Sequence, residues 1–230
     1  MNPKKKFTFN FFTEKKEPKK RNRKKGTEKK APKKRHRKKG TEKKAPKKRH
    51  RKKGTEMIKK YSAKLMGAGI LPVSLHKNNL YFLFGLEEKE KKWSDFGGSK
   101  EDNESKMETA VREGYEELNG FLGSKTEIKK TVNDNFILRV NTEHNKFSTH
   151  IFKSKYDENL PFYFENVHKF IQKKIPQYVG RGGLFEKSKV QWFTIEQIKS
   201  QRVKFRYFYR QILDQIIDNQ DIILDRVKNL

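Results

Sequence analysis

The stretch "GGSKEDNESKMETAVREGYEELNG", residues 97–120, joins a glycine pair to a strongly acidic segment. Its central part, residues 101–117, has seven acidic residues and two bases, although the whole chain has a formal net charge of +29. Ser105 and Glu108 have the spacing of an S-x-x-E capping box, which predicts that a helix begins here. The closing pair "NG" suits the left-handed conformation that ends many helices. The stretch therefore predicts a short, capped helix that carries several carboxylates.

The two sides of this predicted helix differ in chemistry. An apolar stripe forms on one side at helical periodicity, and its members are Met107, Val111, Tyr115 and Leu118. On nearly the opposite side the same periodicity places a cluster of carboxylates, namely Glu113, Glu116 and Glu117. Carboxylates at this spacing repel one another, and they fit either a solvated charged face or a site for hard divalent cations, which prefer oxygen ligands. The spacing alone leaves both interpretations open.

The glycine loop and the helix together match a longer pattern, G-x5-E-x7-R-E-x-x-E-E. Its fixed members are Gly98, Glu104, Arg112, Glu113, Glu116 and Glu117. This pattern resembles the signature of the Nudix hydrolases, and the preceding "WSDFGG" and later "FEKSKVQWFTIEQI" are similar to segments that flank it in that family. The resemblance covers about residues 64–198. It departs at Gly114 and Gly120, where the family has bulky aliphatic residues, and at Asn119, where the family has glycine.

The resemblance implies a set of site residues. The implied ligands for Mg²⁺ or Mn²⁺ are Glu113, Glu116, Glu117 and the carbonyl group of Gly98. The implied catalytic residues are Glu113, Arg112, Glu104 and Glu186. Among these, Arg112 and Glu104 orient the ligand set, Glu113 is the expected general base, and Glu186 is the alternative base. The implied chemistry is metal-assisted attack of water on a diphosphate.

Residues 1–56 differ sharply from the rest of the chain in composition. They contain 27 Lys and Arg and five acidic residues, whereas residues 57–230 contain 30 bases and 23 acids. Residues 18–56 repeat with a period of 14, and no copy contains a large apolar residue. The composition predicts a disordered tail, because stacked copies would bury nothing to offset the entropy of ordering.

A tail this basic attracts polyphosphate without reading sequence. The second copy of the repeat supplies the expected nucleic-acid contacts, namely Lys33, Lys34, Arg35, Arg37, Lys38 and Lys39. The same run also has the composition of a nuclear localisation signal. A solvated, dispensable tail is the third interpretation.

Residues 57–230 are predicted to form one domain with the Nudix-like box at about residues 98–120. Strand-like runs cover residues 66–75 and 79–87, with a hairpin between them. Further along, the sequence predicts two strands within 136–156, a helix within 159–175, a strand and short helix within 189–198, and a helical apolar stripe over 205–216. Strands and helices mix along the chain, so the predicted class is α/β or α+β, a Nudix-like α/β/α sandwich with a mixed sheet.

Composition also excludes several classes of protein and site. The absence of cysteine excludes disulfides and zinc sites built on thiolates. The most apolar stretch, residues 65–75, is too short for a bilayer, which needs about 20 residues. The first residues lack the apolar region of a signal peptide. We expect a soluble, non-secreted protein that is cytoplasmic or nuclear, with no membrane partner.

The expected function is hydrolysis of a nucleoside-diphosphate-type substrate. The Nudix-like box and the basic tail together suggest the cap of mRNA as the substrate. The same combination is loosely similar to Nudix proteins of large DNA viruses, some of which are decapping enzymes. One alternative is a hydrolase of free nucleotides, dinucleoside polyphosphates or diphosphoinositol phosphates whose tail only directs localisation. Another is a non-catalytic RNA-binding scaffold. Arg181, in a flexible "GRGG" loop, is a weaker candidate for phosphate contact, and Trp93 and Trp192 are expected in the core.

Overall fold

The structure, a computed structural model, describes residues 66–230. The predicted tail, its cationic repeats and the predicted domain boundary at residue 57 lie outside this range. The described strands are β1 (Gly67–His76), β2 (Asn79–Glu87), β3 (Trp93–Ser94), β4 (Phe96–Ser99), β5 (Phe136–Asn141), β6 (Phe147–Lys153) and β7 (Lys187–Phe193). The described α-helices are α1 (Lys106–Glu117), α2 (Lys125–Asp134), α3 (Leu160–Lys174), α4 (Ile195–Ser200), α5 (Arg210–Asp218) and α6 (Gln220–Asn229).

The described strands form one mixed sheet centred on β1. Strand β1 runs parallel to β6 and antiparallel to β2 and β4, and β6 continues antiparallel to β5. Strand β2 pairs antiparallel with β3 and with β7. Eight consecutive residues of β1 are buried, as expected for a strand that is covered on both faces. The predicted mixed-sheet class is confirmed.

The hairpin between β1 and β2 is also confirmed. Its turn residues Lys77 and Asn78 both have positive φ, 47° and 62°. This is the backbone of a type I′ turn, whose twist matches that of the flanking strands.

Two apolar clusters lie on the opposite faces of the sheet. One contains Leu71, Phe82 and Phe84 together with residues of α4, α5 and α6. The other contains Ile70 and Leu83 together with residues of α1, α2 and α3. Neighbouring strand residues belong to different clusters because successive side chains point to opposite faces. The result is the predicted α/β/α sandwich.

The helix predicted from the stripe over residues 205–216 begins later than expected. Phe205 is fully buried and forms an isolated parallel bridge with Trp93, and the N–H of Arg206 donates to the Trp93 carbonyl at 3.0 Å. These contacts hold the backbone against β3, so α5 begins only at Arg210. The later part of the stripe, around Ile212 and Ile216, is buried as predicted.

Both tryptophans are core residues, as expected. Trp93 packs against Phe193 with ring centroids 5.1 Å apart, and the indole N–H of Trp192 donates to the carbonyl of Asp157 at 2.9 Å. Across residues 66–230, none of the helices has the length and hydropathy that crossing a membrane requires.

Candidate active site

Helix α1 has the termini that its sequence predicts. The Ser105 hydroxyl accepts from the N–H of Glu108, and the Glu108 carboxylate accepts from the N–H of Ser105 at 2.8 Å, which completes the capping box. After the helix, Asn119 and Gly120 have φ of 52° and 73°. Asparagine therefore takes the left-handed position that the family's glycine would occupy.

Gly114 lets α1 approach the sheet closely. A Cβ atom at this position would clash with Cδ1 of Ile70 on β1. The departure from the family's bulky residue at this position thus has a packing reason, since the side chain of Ile70 fills the space.

The predicted division of α1 into an apolar and an acidic side is partly wrong. Glu117 is only 3% exposed, whereas Met107 and Tyr115 are half-buried. The reason is that β4 and β7 cover the side of α1 that carries Glu117, and they supply polar partners there. The N–H of Gly97 donates to Oε2 of Glu117 at 2.7 Å.

Arg112 joins the carboxylates of the box. Its Nε donates to Oε1 of Glu104 at 2.7 Å and its Nη1 donates to Oε1 of Glu113 at 2.8 Å. Nη2 donates to the Ser99 carbonyl at 2.9 Å, and Nη1 lies 3.4 Å from Glu116. The planar guanidinium can hold these acceptors at once because its donors are fixed in a fork. Arg112 thus ties α1 to the loop that precedes it.

A buried lysine also contacts Glu117. Lys187 on β7 has no exposed surface, and its Nζ lies 3.4 Å from Oε2 of Glu117 and 2.5 Å from Oε1 of Glu87. The ammonium also donates to the Ser94 hydroxyl at 2.8 Å. The β2–β7 register brings this pair together, since Glu87 and Lys187 are direct partners in it.

Glu186 completes a group of three carboxylates. One oxygen from each of Glu87, Glu117 and Glu186 lies within 4.8 Å of the other two. This trio is part of a cleft of about 570 Å³, here called the acidic cleft. Its lining includes Glu87, Gly98, Arg112, Glu113, Glu116, Glu117, Gly183, Glu186 and Arg206. All box members except Glu104 line the cleft, and Glu104 contacts it through Arg112.

The electrostatics of the acidic cleft separate its carboxylates into two groups. The hydrogen bond from Arg112 lowers the pKa of Glu104 to about 2. Burial raises the pKa of Glu117 well above its ordinary value, and it also raises the pKa of Glu113 and of Glu186. Glu104 is therefore a permanent anion paired with Arg112, whereas the other three are carboxylates that water solvates poorly.

Gly98 faces the acidic cleft through its Cα atom. A Cβ atom there would lie 2.5 Å from the carboxyl group of Glu113. The metal-ligand role of the Gly98 carbonyl stays a prediction. Arg181 is exposed and lies over the ring of Tyr178, 5.7 Å from the centroid, in a 3₁₀ turn, which agrees with the loop interpretation.

Among the residues that sequence reasoning missed are Glu87 and Arg206, which line the cleft, and the buried Lys187, which contacts Glu117. Glu87 is the last residue of β2, Lys187 is the first residue of β7, and Arg206 follows the bridge at Phe205. A weak signal existed for Lys187, because it directly follows Glu186, a predicted site residue. Nothing local distinguishes Glu87 from its acidic neighbours.

Comparisons with known proteins find similarity in structure only. No protein-family model matches the sequence, and no curated protein matches it. A Nudix hydrolase from M. Smegmatis is 10% identical, with 68% of this chain and 86% of that chain covered and a TM-score of 0.39. For a C. elegans Ap4A hydrolase the identity is 15%, the coverage 71% and 95%, and the TM-score 0.37. A NUDIX-family hydrolase from Clostridium perfringens is 16% identical, with 70% of this chain and 97% of that chain covered and a TM-score of 0.36.

Identities and TM-scores at this level carry no inference about activity. The mixed sheet, the helices on both of its faces and the box residues on the loop and helix after β4 agree with the fold that the Nudix resemblance implies.

Proposed function

We propose that this protein is a divalent-metal-dependent hydrolase that cleaves a diphosphate linkage in a nucleoside-diphosphate-type substrate. The observation that carries the proposal is the trio of Glu87, Glu117 and Glu186, whose oxygens converge within 4.8 Å in the acidic cleft. Two further carboxylates, Glu113 and Glu116, line the same cleft. Arg112, Lys187 and Arg206 already contact these acids, but they carry three positive charges against five carboxylates, so further cations would be favourable.

The donor set fits Mg²⁺ or Mn²⁺. These hard cations prefer carboxylate and carbonyl oxygens. Lys187 and the N–H of Gly97 both contact Oε2 of Glu117, and Lys187 contacts Oε1 of Glu87. Each of these carboxylates has a second oxygen that can contribute to a metal site. When bound, such ions neutralise phosphoryl oxygens and lower the pKa of bound water.

The protein's own residues have distinct roles in this proposal. Glu113, Glu116 and Glu117 would hold the metal, together with Glu87, Glu186 and the carbonyl group of Gly98. Arg112 fixes Oε1 of Glu113 and so aims the second oxygen of that carboxylate. Glu113 is the proposed general base, and its raised pKa favours proton acceptance nearer neutral pH. Glu186 is the alternative base, with a pKa also raised by burial.

The proposed substrate is capped RNA, with the basic repeats of residues 18–56 holding the RNA body. A second contact raises the effective concentration of the cap at the cleft without new contacts there. Deleting residues 1–56 tests this. We expect weaker binding of capped RNA and a smaller dependence of turnover on salt. Unchanged turnover and salt dependence would assign the tail to localisation.

Free nucleotides are the second candidate substrates. Adenine dinucleotides and ADP-ribose belong in the test because similar structures include an Ap4A hydrolase and a NUDIX domain complexed with ADP ribose. A non-catalytic RNA-binding scaffold is the third candidate, and the presence of all the box carboxylates disfavours it.

The deciding experiment is a screen of the purified protein with Mg²⁺ and with Mn²⁺. Substrates should include capped RNA, nucleotide sugars, ADP-ribose, nucleoside triphosphates, dinucleoside polyphosphates and diphosphoinositol phosphates. Glu117→Gln should abolish metal-dependent hydrolysis while circular dichroism shows a folded protein, and exposed Glu158→Gln is the matched control. Full activity in Glu117→Gln would contradict the metal assignment.

A further inference from the structure

A second cavity lies beside the acidic cleft and has a different chemistry. It has a volume of about 520 Å³, and we call it the aromatic groove. Its lining includes Met66, Gly67, Gly97, Gly98, His144, Phe147, Arg206, Tyr207, Phe208 and Gln211. This volume lies within the range of small-molecule sites, which are mostly apolar with a few placed polar groups.

The aromatic groove and the acidic cleft adjoin each other at strand β4. Gly97, Gly98, Ser99 and Arg206 line both cavities. A ligand bound at these four shared residues would therefore lie next to both cavities.

Arg206 lines both cavities, and two carboxylates hold its guanidinium in place. Its guanidinium donates to both oxygens of Glu90, at 2.6 and 3.0 Å, and Nη1 lies 3.4 Å from Glu87. The same group lies over the ring of Phe208, 5.0 Å from its centroid. Arg206 thus contacts a carboxylate of the acidic cleft and an aromatic ring of the groove.

The rings of the groove offer surfaces to a flat ligand. Tyr207 is 84% exposed, which is unusual for so large a side chain, and Phe208 is also exposed. Phe208 is held edge-on against Phe147, with centroids 5.4 Å apart. Gly67 and Gly97 contribute backbone without side chains, and a Cβ at either would clash with neighbouring strand or ring atoms.

We propose that the aromatic groove binds the heterocyclic base of the substrate, stacked on Tyr207 and Phe208, while the diphosphate lies in the acidic cleft. This inference rests on the proposed function and adds which end of the substrate is recognised, and where. Stacking on aromatic side chains tolerates any base because every base has a π-face. His144 and Gln211 stand in the same lining and can contact the base edge by hydrogen bonds.

Equilibrium binding of nucleoside monophosphates tests the groove without hydrolysis, because AMP and GMP contain no diphosphate linkage. Calorimetry in Mg²⁺ should show that AMP or GMP binds at least about tenfold more tightly than ribose 5-phosphate. Tyr207→Ala should remove about tenfold of this affinity, whereas Tyr207→Trp, which keeps a stacking ring, should retain it. Phe208→Leu, which keeps volume and loses the π-face, should weaken binding similarly.

Tyr178→Ala is the matched control, because Tyr178 is exposed and lies outside the groove lining. Equal affinity for ribose 5-phosphate and for the nucleotides would overturn the inference. So would wild-type nucleotide affinity in both Tyr207→Ala and Phe208→Leu.

The same variants separate this inference from the proposed function. Ring-dependent binding of AMP or GMP, without hydrolysis of any diphosphate in the screen, would overturn the proposed function and support the groove. Hydrolysis of a diphosphate substrate with KM unchanged in Tyr207→Ala would support the proposed function and overturn the inference about the groove. A short capped RNA, compared with AMP and GMP on the same variants, shows whether the bound base belongs to RNA or to a free nucleotide, and either result supports the groove.

Discussion

The ammonium of Lys187 lies 3.4 Å from Oε2 of Glu117, and Lys187 is fully buried. Because it also pairs with Glu87 at 2.5 Å, its single positive charge is shared between two carboxylates that have little access to water. Lys187→Met should lower the free energy of unfolding by about 3–5 kcal/mol, the usual cost of leaving a buried charge unpaired. Urea unfolding in EDTA measures this change.

Added Mn²⁺ should stabilise Lys187→Met more than the wild type, since the freed carboxylates gain a cation that binds only the folded state. Lys189→Met is the control, because Lys189 is exposed and contacts Glu165 instead. Equal stability of the two variants would contradict the role given to Lys187.

Arg112→Lys should lower kcat/KM about 10- to 100-fold, the usual effect of removing a group that orients metal ligands. A lysine has one compact charge and cannot hold Glu104, Glu113 and the Ser99 carbonyl in the planar fork of arginine. Steady-state kinetics on the best substrate measures the loss. Arg202→Lys, at an exposed ion pair with Asp214, should leave kcat/KM unchanged.

Asp95 should give the folded protein a measurable pH dependence. Burial raises the pKa of Asp95 from 3.8 to about 7, although Thr149 donates a hydrogen bond to its carboxylate at 2.6 Å. The folded state therefore retains a proton that the unfolded state releases above about pH 4. Stability from this group is present at low pH and is lost as pH rises towards 7.

Asp95→Asn should reduce the fall in unfolding free energy between about pH 4 and 7, measured by urea titration at several pH values. A remaining slope is expected from Glu117 and Glu186, whose pKa values are also raised. Asp134→Asn, at an exposed site, should keep the wild-type slope. An unchanged slope in Asp95→Asn would show that Asp95 is ionised throughout this range.

Gly114→Ala should destabilise the protein even though alanine favours helices by about 1 kcal/mol. The added methyl group meets Ile70, and overpacking a core contact costs about 1–3 kcal/mol. Thermal unfolding measures the difference. Ile70→Ala removes the clashing atoms, so the double variant should be more stable than the sum of the two single changes allows. Strict additivity would exclude the contact as the cause.

Local signals in the sequence predicted most of the fold. The capping box at Ser105, the turn at Lys77 and Asn78, and the order of strands and helices are each determined within a few residues. The predicted start of α5 was wrong because it is set by the bridge between Phe205 and Trp93. This bridge joins segments more than a hundred residues apart, so no local signal reveals it.

The candidate site likewise has one part that local sequence predicts and another that depends on distant contacts. Arg112 and the box carboxylates lie on one loop and helix, so their spacing was informative. Glu87 and Lys187 meet only through the register of β2 with β7, and a one-residue shift of that register would separate them. The burial of Glu117 likewise depends on strands that pack over α1.

The glycines around the acidic cleft limit how its specificity can be redesigned. A side chain at Gly98 would meet Glu113, and one at Gly183, where φ is +79°, would meet Glu116. Directed libraries that vary these two positions should therefore return mostly inactive clones. Diversity placed at Lys89 and Tyr207, which line the two cavities with exposed side chains, leaves the carboxylates in place and offers the better route to new substrates.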